Sequence, residues 1–190
     1  MMGPVKALTS EGLGLDYQDL RLERTTEGWV TAGSSLRDAV TAVLEGEAQA
    51  VEQIGSSSVV GLLAKPILDL AVGLSEQRDV TAVRRRLEGA GWIYRGDAGP
   101  NGGHVFVLEA RPWFRVAHLQ VVEHRGRQWL DYLSLRDLLR RSPQACDRYE
   151  SVKVRLIDEL GNDRKAYTDA KTDVVRSLLL DLEQALPDHP

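Results

Sequence analysis

The apolar positions Leu36, Val40, Val43 and Leu44 recur at helical spacing, and Gly46 follows the last of them as a stop signal. That pattern predicts a first helix starting near Ser35. Ala50 to Ile54 then reads as a short strand ending at Gly55, and Ile67 to Leu74 is an apolar run with the character of a buried strand. Val80, Val83 and Leu87 predict a helix that closes near Gly89 and Gly91. Trp92-Ile93-Tyr94 and His104 to Leu108 flank the turn-rich stretch Asp97 to Gly103, which predicts a hairpin. Val116 to Glu123 is a further strand, and the chain from about Gln128 to Leu186 is helical in pattern, restarting at Pro143 and breaking at Gly161-Asn162. Residues 1–28, interrupted by Gly12, Gly14 and Thr25-Thr26, are expected to form an N-terminal extension or loosely docked arm. The expectation is an α+β fold. A small mixed sheet packs against helices over 29–124, and a C-terminal three-helix segment follows over 125–190.

Strand alternation sorts the polar residues by face. Asp69, Ala71 and Gly73 share one side of their strand, and the apolar residues between them face a core. On the later strand His118 and Gln120 share a side, which makes them the groups expected to meet Asp69. Glu123 joins them only if strand direction relaxes at its end, and otherwise it is a solvated glutamate. On the helices, Arg136 with Arg140 and Tyr149 with Lys153 stand at i and i+4, while Arg164, Tyr167 and Lys171 form one stripe. These stripes read as a cationic wall over phosphates or as solvated faces, and for Arg140 the solvated face is the expectation.

Composition narrows the class. With 43% hydrophobic residues in 190 the chain carries enough apolar material for one sizeable core. A net charge of -4 offers no global attraction for nucleic acid or an anionic membrane, so neither is an expected partner. No apolar run reaches the roughly 20 residues needed to span a bilayer, and the first residues lack a signal-peptide pattern, so the expected location is cytoplasmic. The single Cys146 excludes an internal disulfide and lies far in sequence from any histidine that would activate it. The expected ligand is a small molecule, and the sequence leaves the oligomeric state open.

The segment Ile54-Gly55-Ser56-Ser57-Ser58 leaves backbone N–H groups and hydroxyls to hold phosphate oxygens, and a carboxylate on a neighbouring strand is the kind of group that binds Mg2+. No Gly-Lys-Ser/Thr follows, so this is not a Walker loop. Lys65, ahead of Asp69, either neutralises phosphate or pairs with that carboxylate. His104 reads as an exposed hairpin histidine. Trp29, Trp92, Trp113 and Trp129 read as core anchors, with stacking on a base an alternative for Trp113.

The run Gln53-Ile54-Gly55-Ser56-Ser57-Ser58-Val59-Val60-Gly61-Leu62-Leu63-Ala64-Lys65-Pro66-Ile67-Leu68-Asp69-Leu70 resembles the signature of the GrpB family, a branch of the nucleotidyltransferase superfamily. His118-Leu119-Gln120-Val121-Val122-Glu123, Arg136-Asp137-Leu138-Leu139-Arg140, and Tyr149, Lys153, Arg164, Tyr167, Thr168 and Lys171 are similar to its later blocks. The resemblance implies a nucleotidyltransferase-type sheet that handles a nucleoside triphosphate with Mg2+. Gly55, Ser56, Ser57, Lys65, Arg136, Lys153, Tyr167 and Lys171 would then surround the nucleotide, Asp69 and Glu123 would hold metal, and His118 and Gln120 would complete the catalytic face. Three departures stand out: Ala71 where the superfamily usually has a second acid, Val60 for a usual proline and Gln120 for a usual histidine. Two-metal chemistry needs bridging carboxylates. The readings that follow are a Mg2+-dependent nucleotide-using transferase acting on a small molecule, a binding or accessory module that has lost turnover, and the same scaffold recruited to another small-molecule reaction through His118 and Gln120.

Overall fold

The computed structural model describes residues 3–75, 80–97, 103–160 and 163–185, without the side chains at 164, 165, 167–169, 171 and 182–185. Three helices, α1 (Pro4–Ser10), α2 (Glu27–Val43) and α3 (Val80–Gly89), alternate with strands, and α4 (Arg127–Arg141), α5 (Pro143–Leu160) and α6 (Arg164–Ala185) follow them. The strands are β1 (Leu15–Asp16), β2 (Glu23–Arg24), β3 (Ala50–Ile54), β4 (Leu63–Ala64), β5 (Leu68–Leu74), β6 (Ile93–Asp97), β7 (His104–Arg111) and β8 (Phe114–Glu123). A mixed six-stranded sheet runs β3-β5-β8-β7-β6, with β1 added beside β8, and β2 pairs with β4 as a separate ribbon. The β5 and β8 strands are parallel and the other pairings antiparallel. This is the expected α+β architecture, a small mixed sheet packed against helices with the C-terminal helices after it.

The period-2 pattern of β5 decides the layering. Leu68, Leu70, Val72 and Leu74 face a core shared with Leu8 of α1, Trp29, Leu36 and Val40 of α2, and Val83 and Leu87 of α3. Burying each such side chain contributes about 1.5–3 kcal/mol. On the opposite face Ala71 and Val122 lie beneath Trp129, Tyr132 and Leu133 of α4. Gly73 stands where a side chain would meet the Trp129 ring at 3.1 Å. The α4 helix therefore covers the far half of this face, and the half carrying Asp69 is left open to solvent.

The N-terminal region differs from expectation. Leu8 and Leu13 are buried in the first core, Leu15 is also buried, and Gly14 N–H donates to Pro66 C=O at 2.7 Å. Residues 4–28 are thus packed, because their few leucines fall where α2 and the sheet leave apolar surface uncovered. Thr26 interrupts nothing: its hydroxyl accepts from Trp29 N–H at 3.2 Å and caps α2, which starts at Glu27 rather than near Ser35. Trp29, Trp92 and Trp129 are core residues as expected, but Trp113 is 68% exposed and meets Tyr17 edge-on. The turn at 98–102 and the break at Gly161-Asn162 lie outside the described residues.

Leu13→Ala is expected to destabilise the chain by about 2–5 kcal/mol in chemical denaturation, the cost of a cavity in a packed core. A loosely docked arm would give a change within about 0.5 kcal/mol.

Candidate functional site

Residues Ser56–Ser58 form one turn of 3-10 helix directly after β3, closed by Ser58 N–H to Gly55 C=O and Val59 N–H to Ser56 C=O. Gly55 adopts φ +70°, and a side chain there would stand 2.9 Å from Asp69 Oδ2. Only glycine permits both the left-handed backbone and that close approach. Ser57 is 1% exposed, and its hydroxyl accepts from Asp69 N–H at 3.3 Å, which ties the turn to β5. Ser58 turns its hydroxyl inward onto Gly55 C=O at 2.7 Å. The Ser56 hydroxyl accepts from the Lys153 ammonium at 3.3 Å.

The turn is held from all sides. Lys153, 2% exposed on α5, also donates to Leu63 C=O and lies 4.4 Å from the centre of the Tyr149 ring. Arg140 of α4 donates twice to Ser58 C=O, at 3.0 and 3.2 Å. Burial, reinforced by the nearby Arg136 charge, lowers the Arg140 pKa from its ordinary value. Thr25 approaches Ser56 C=O at 3.5 Å from below. Val59 and Leu62 then insert among Leu135, Leu139, Tyr149, Leu178 and Leu179, so the turn is shared between the sheet and the C-terminal helices.

Asp69 faces the open half of the sheet with its side chain 34% exposed, and its Oδ1 lies 3.3 Å from His118 Nδ1. The parallel register places His118 directly beside Asp69 and Gln120 beside Ala71. The expected trio is therefore assembled, with Gly55 at its edge. Glu123 is not part of it. It pairs with Leu74, five positions beyond Asp69 and about 16 Å along the strand, so the expected second ligand cannot reach the first. Ala71 is fully buried under α4. The acid nearest in register is Glu52, opposite Ala71 on β3, and Arg136 holds it at 2.8 Å.

These donors decide what metal the site fits. Among the described residues no three His, Cys, Asp or Glu side chains gather as a metal site. Mg2+ keeps most of its waters and takes one or two carboxylates plus substrate phosphates. Asp69 suits one hydrated cation arriving with a triphosphate, and the arrangement does not fit a bridged pair.

Several cations expected at the nucleotide have structural partners. Arg136 bonds Asp137 at 2.7 Å, Glu52, and Gln53 C=O at 3.2 Å. Burial opposes its charge, but the hydrogen bonds to Asp137 and Glu52 prevail and hold its pKa above the usual value. The same Arg136 bond is the main cause that lowers the Asp137 carboxyl. Lys65 is half-buried in the turn ahead of β5. The side chains of Tyr167 and Lys171 lie outside the described residues. His104 contacts the Tyr94 hydroxyl at 2.9 Å and pairs with Val121, on the core side of β8, so it does not face Asp69. Cys146 donates to Leu139 C=O at 2.9 Å, and burial raises its pKa, consistent with an inert thiol.

Sequence reasoning missed Arg140, Thr25 and Glu52, whose roles depend on long-range approach. It also missed a hollow of about 280 Å³ next to His118 and Gln120, walled by Tyr17, Arg95, Val105, Val107 and Arg115. The consecutive strands β6, β7 and β8 supply most of that wall, and Tyr17 joins it from the N-terminal region.

No helix among the described residues is long and apolar enough to cross a membrane. A crystal structure of the conserved protein GrpB from Enterococcus faecalis superposes with a TM-score of 0.68, at 24% identity over 83% of this chain and 99% of that one. The GLD-2/RNP-8 complex shares the fold at a TM-score of 0.50 and 12% identity, over 80% of this chain and 58% of that one. In sequence, the glutamate-rich protein GrpB of Alkalihalophilus pseudofirmus is 28% identical over 88% of this chain and 98% of its own length. A UPF0157 protein of Streptomyces coelicolor is 36% identical over 67% of this chain, which spans 66% of that relative. The family model described as GrpB protein matches residues 19–180, which contain the serine turn, Asp69, His118 and the cations of α4 and α5, and the chain belongs to the GrpB family.

Proposed function

We propose that this chain transfers a nucleotidyl group from a nucleoside triphosphate to a small molecule at the open half of the sheet. The observation that carries the reading is the contact between the turn and the acid: Gly55 stands so close to Asp69 that a phosphate gripped by one lies against the other. The first N–H groups of a helical turn have no acceptor within it, and those of the Ser56–Ser58 turn would take phosphate oxygens. Because Ser56 accepts from the Lys153 ammonium, its own O–H is left to donate to the phosphate. Lys153 thereby stabilises the anion from behind the turn. Asp69 would hold a single Mg2+, which when bound screens the charge of the triphosphate.

His118 would receive the proton. Its Nδ1 faces an acceptor-only carboxylate, so Nδ1 carries the hydrogen and Nε2 offers a lone pair. The acceptor hydroxyl gives its proton to Nε2 while its oxygen bonds the α-phosphorus. The bond from that phosphorus to the bridging oxygen breaks, and pyrophosphate leaves with the electron pair. The Asp69 charge stabilises the imidazolium that results.

A second reading, nucleotide binding without turnover, is favoured by the burial of Ala71, which removes the usual second carboxylate from the site. Pyrophosphate release from Mg-ATP with a pool of metabolites separates the two, since binding by calorimetry without release selects the second. No binding at millimolar Mg-ATP overturns both.

His118→Asn is expected to lower turnover about a hundredfold or more and leave Mg-ATP affinity unchanged, whereas Asp69→Asn weakens both. Ala71→Asp is expected to destabilise the fold by about 2–5 kcal/mol without adding activity. A gain in turnover at an unaltered denaturation midpoint would contradict the placement of Ala71 beneath α4.

A further inference from the structure

Two backbone N–H groups of the serine turn, those of Ser56 and Ser57, have no acceptor among the described residues, although both residues are buried. Buried N–H groups without acceptors are rare, and each of these belongs to a peptide group whose carbonyl is engaged from behind. The Ser56 N–H shares its peptide with Gly55 C=O, which accepts from Ser58 N–H at 3.3 Å and from the Ser58 hydroxyl at 2.7 Å. Ser58 N–H in turn shares its peptide with Ser57 C=O, which the neutral Gln53 amide reaches at 3.5 Å. The Ser57 N–H ends a parallel series. Its peptide carries Ser56 C=O, which accepts from Val59 N–H at 3.2 Å, and Val59 N–H shares its peptide with Ser58 C=O. That last carbonyl takes both bonds from the Arg140 guanidinium, at 3.0 and 3.2 Å. A neutral amide thus stands behind the Ser56 N–H and a charge behind the Ser57 N–H, each two peptide groups away.

A bond accepted at a carbonyl polarises the peptide and strengthens its N–H as a donor, and an ionised donor does so most. Among the described residues no carboxylate bonds Arg140, because Arg136, one turn earlier on α4, takes Glu52 and Asp137. We infer that Arg140 is a positioning residue for the polyphosphate: through the Ser58–Val59 and Ser56–Ser57 peptides it strengthens the grip of the turn on an anion. It touches neither the anion nor the reacting atoms. The inference needs the turn to hold phosphate, as in the transferase reading, and does not need turnover.

The test is calorimetric titration of the full chain with inorganic pyrophosphate, and separately with Mg-ATP, beside amide NMR of the ligand-free chain. Arg140→Gln keeps a donor but no charge and is expected to bind pyrophosphate about tenfold more weakly. Arg140→Lys, which keeps the charge, recovers most of that affinity. Arg136→Gln removes a cation that docks the same helix without bonding Ser58, so it lowers the denaturation midpoint and leaves pyrophosphate affinity unchanged. Without ligand, Arg140→Gln is expected to move the Ser57 amide proton upfield and the Ser56 amide proton less, a selectivity that loosening of α4 would not produce. Unchanged affinity in Arg140→Gln, equal losses in Arg140→Gln and Arg136→Gln, equal displacement of the two amides, or no pyrophosphate binding by the parent at millimolar levels overturns the inference. Mg-ATP turnover that ignores Arg140→Gln overturns it too and leaves the transferase reading standing. Pyrophosphate binding that depends on Arg140 upholds it even if Mg-ATP is never turned over, in which case the transferase reading falls alone.

Discussion

The close passage of Gly55 against the Asp69 carboxylate is the constraint on which the rest of the molecule turns. A residue with any side chain at 55 would clash with the acid, and a residue confined to negative φ would send the chain elsewhere. Because the backbone makes that turn, Ser57 can take the Asp69 N–H and the turn lies flat on the sheet edge. Val59 and Leu62 are then carried into the C-terminal helices. Gly55 and Ser57 thus hold the turn to Asp69 at the candidate site, while Val59 and Leu62 join it to the helices.

The polar groups around the turn divide by what neutralises them. Arg136 is spent on Glu52 and Asp137, and Arg140 on a backbone carbonyl, so both help dock α4. Lys153 reaches the Ser56 hydroxyl, the Leu63 carbonyl and the Tyr149 ring. Asp69 and His118 supply the opposite polarity a few ångströms away, on the open side.

Much of the sheet was legible from residues alone. Alternation along β5 and β8 correctly put Asp69, His118 and Gln120 on one face and their apolar neighbours in the core, since side-chain direction in a strand follows sequence parity. The hairpin of β6 and β7 and the restart at Pro143 were legible because turn residues and proline act locally. The packed N-terminus was not. Its leucines have no period, and their burial depends on surface left by elements that come later in the chain. Arg140 has the look of a solvated helix cation in sequence, yet a carbonyl more than eighty residues away claims it.

By itself the sequence determined the kinds of element, the face each strand residue takes and the chemistry available at the serine turn, because these depend on neighbours within a few residues. Tertiary structure alone decided which side chain stands beside Asp69, since register between distant strands brings His118 to it and leaves Glu123 at the other end. It also decided that α4 seals Ala71 while leaving the adjacent row open, and that Tyr17, Arg95 and Arg115 wall a common hollow. Those outcomes are distances between segments remote in the chain, and no local pattern encodes a distance.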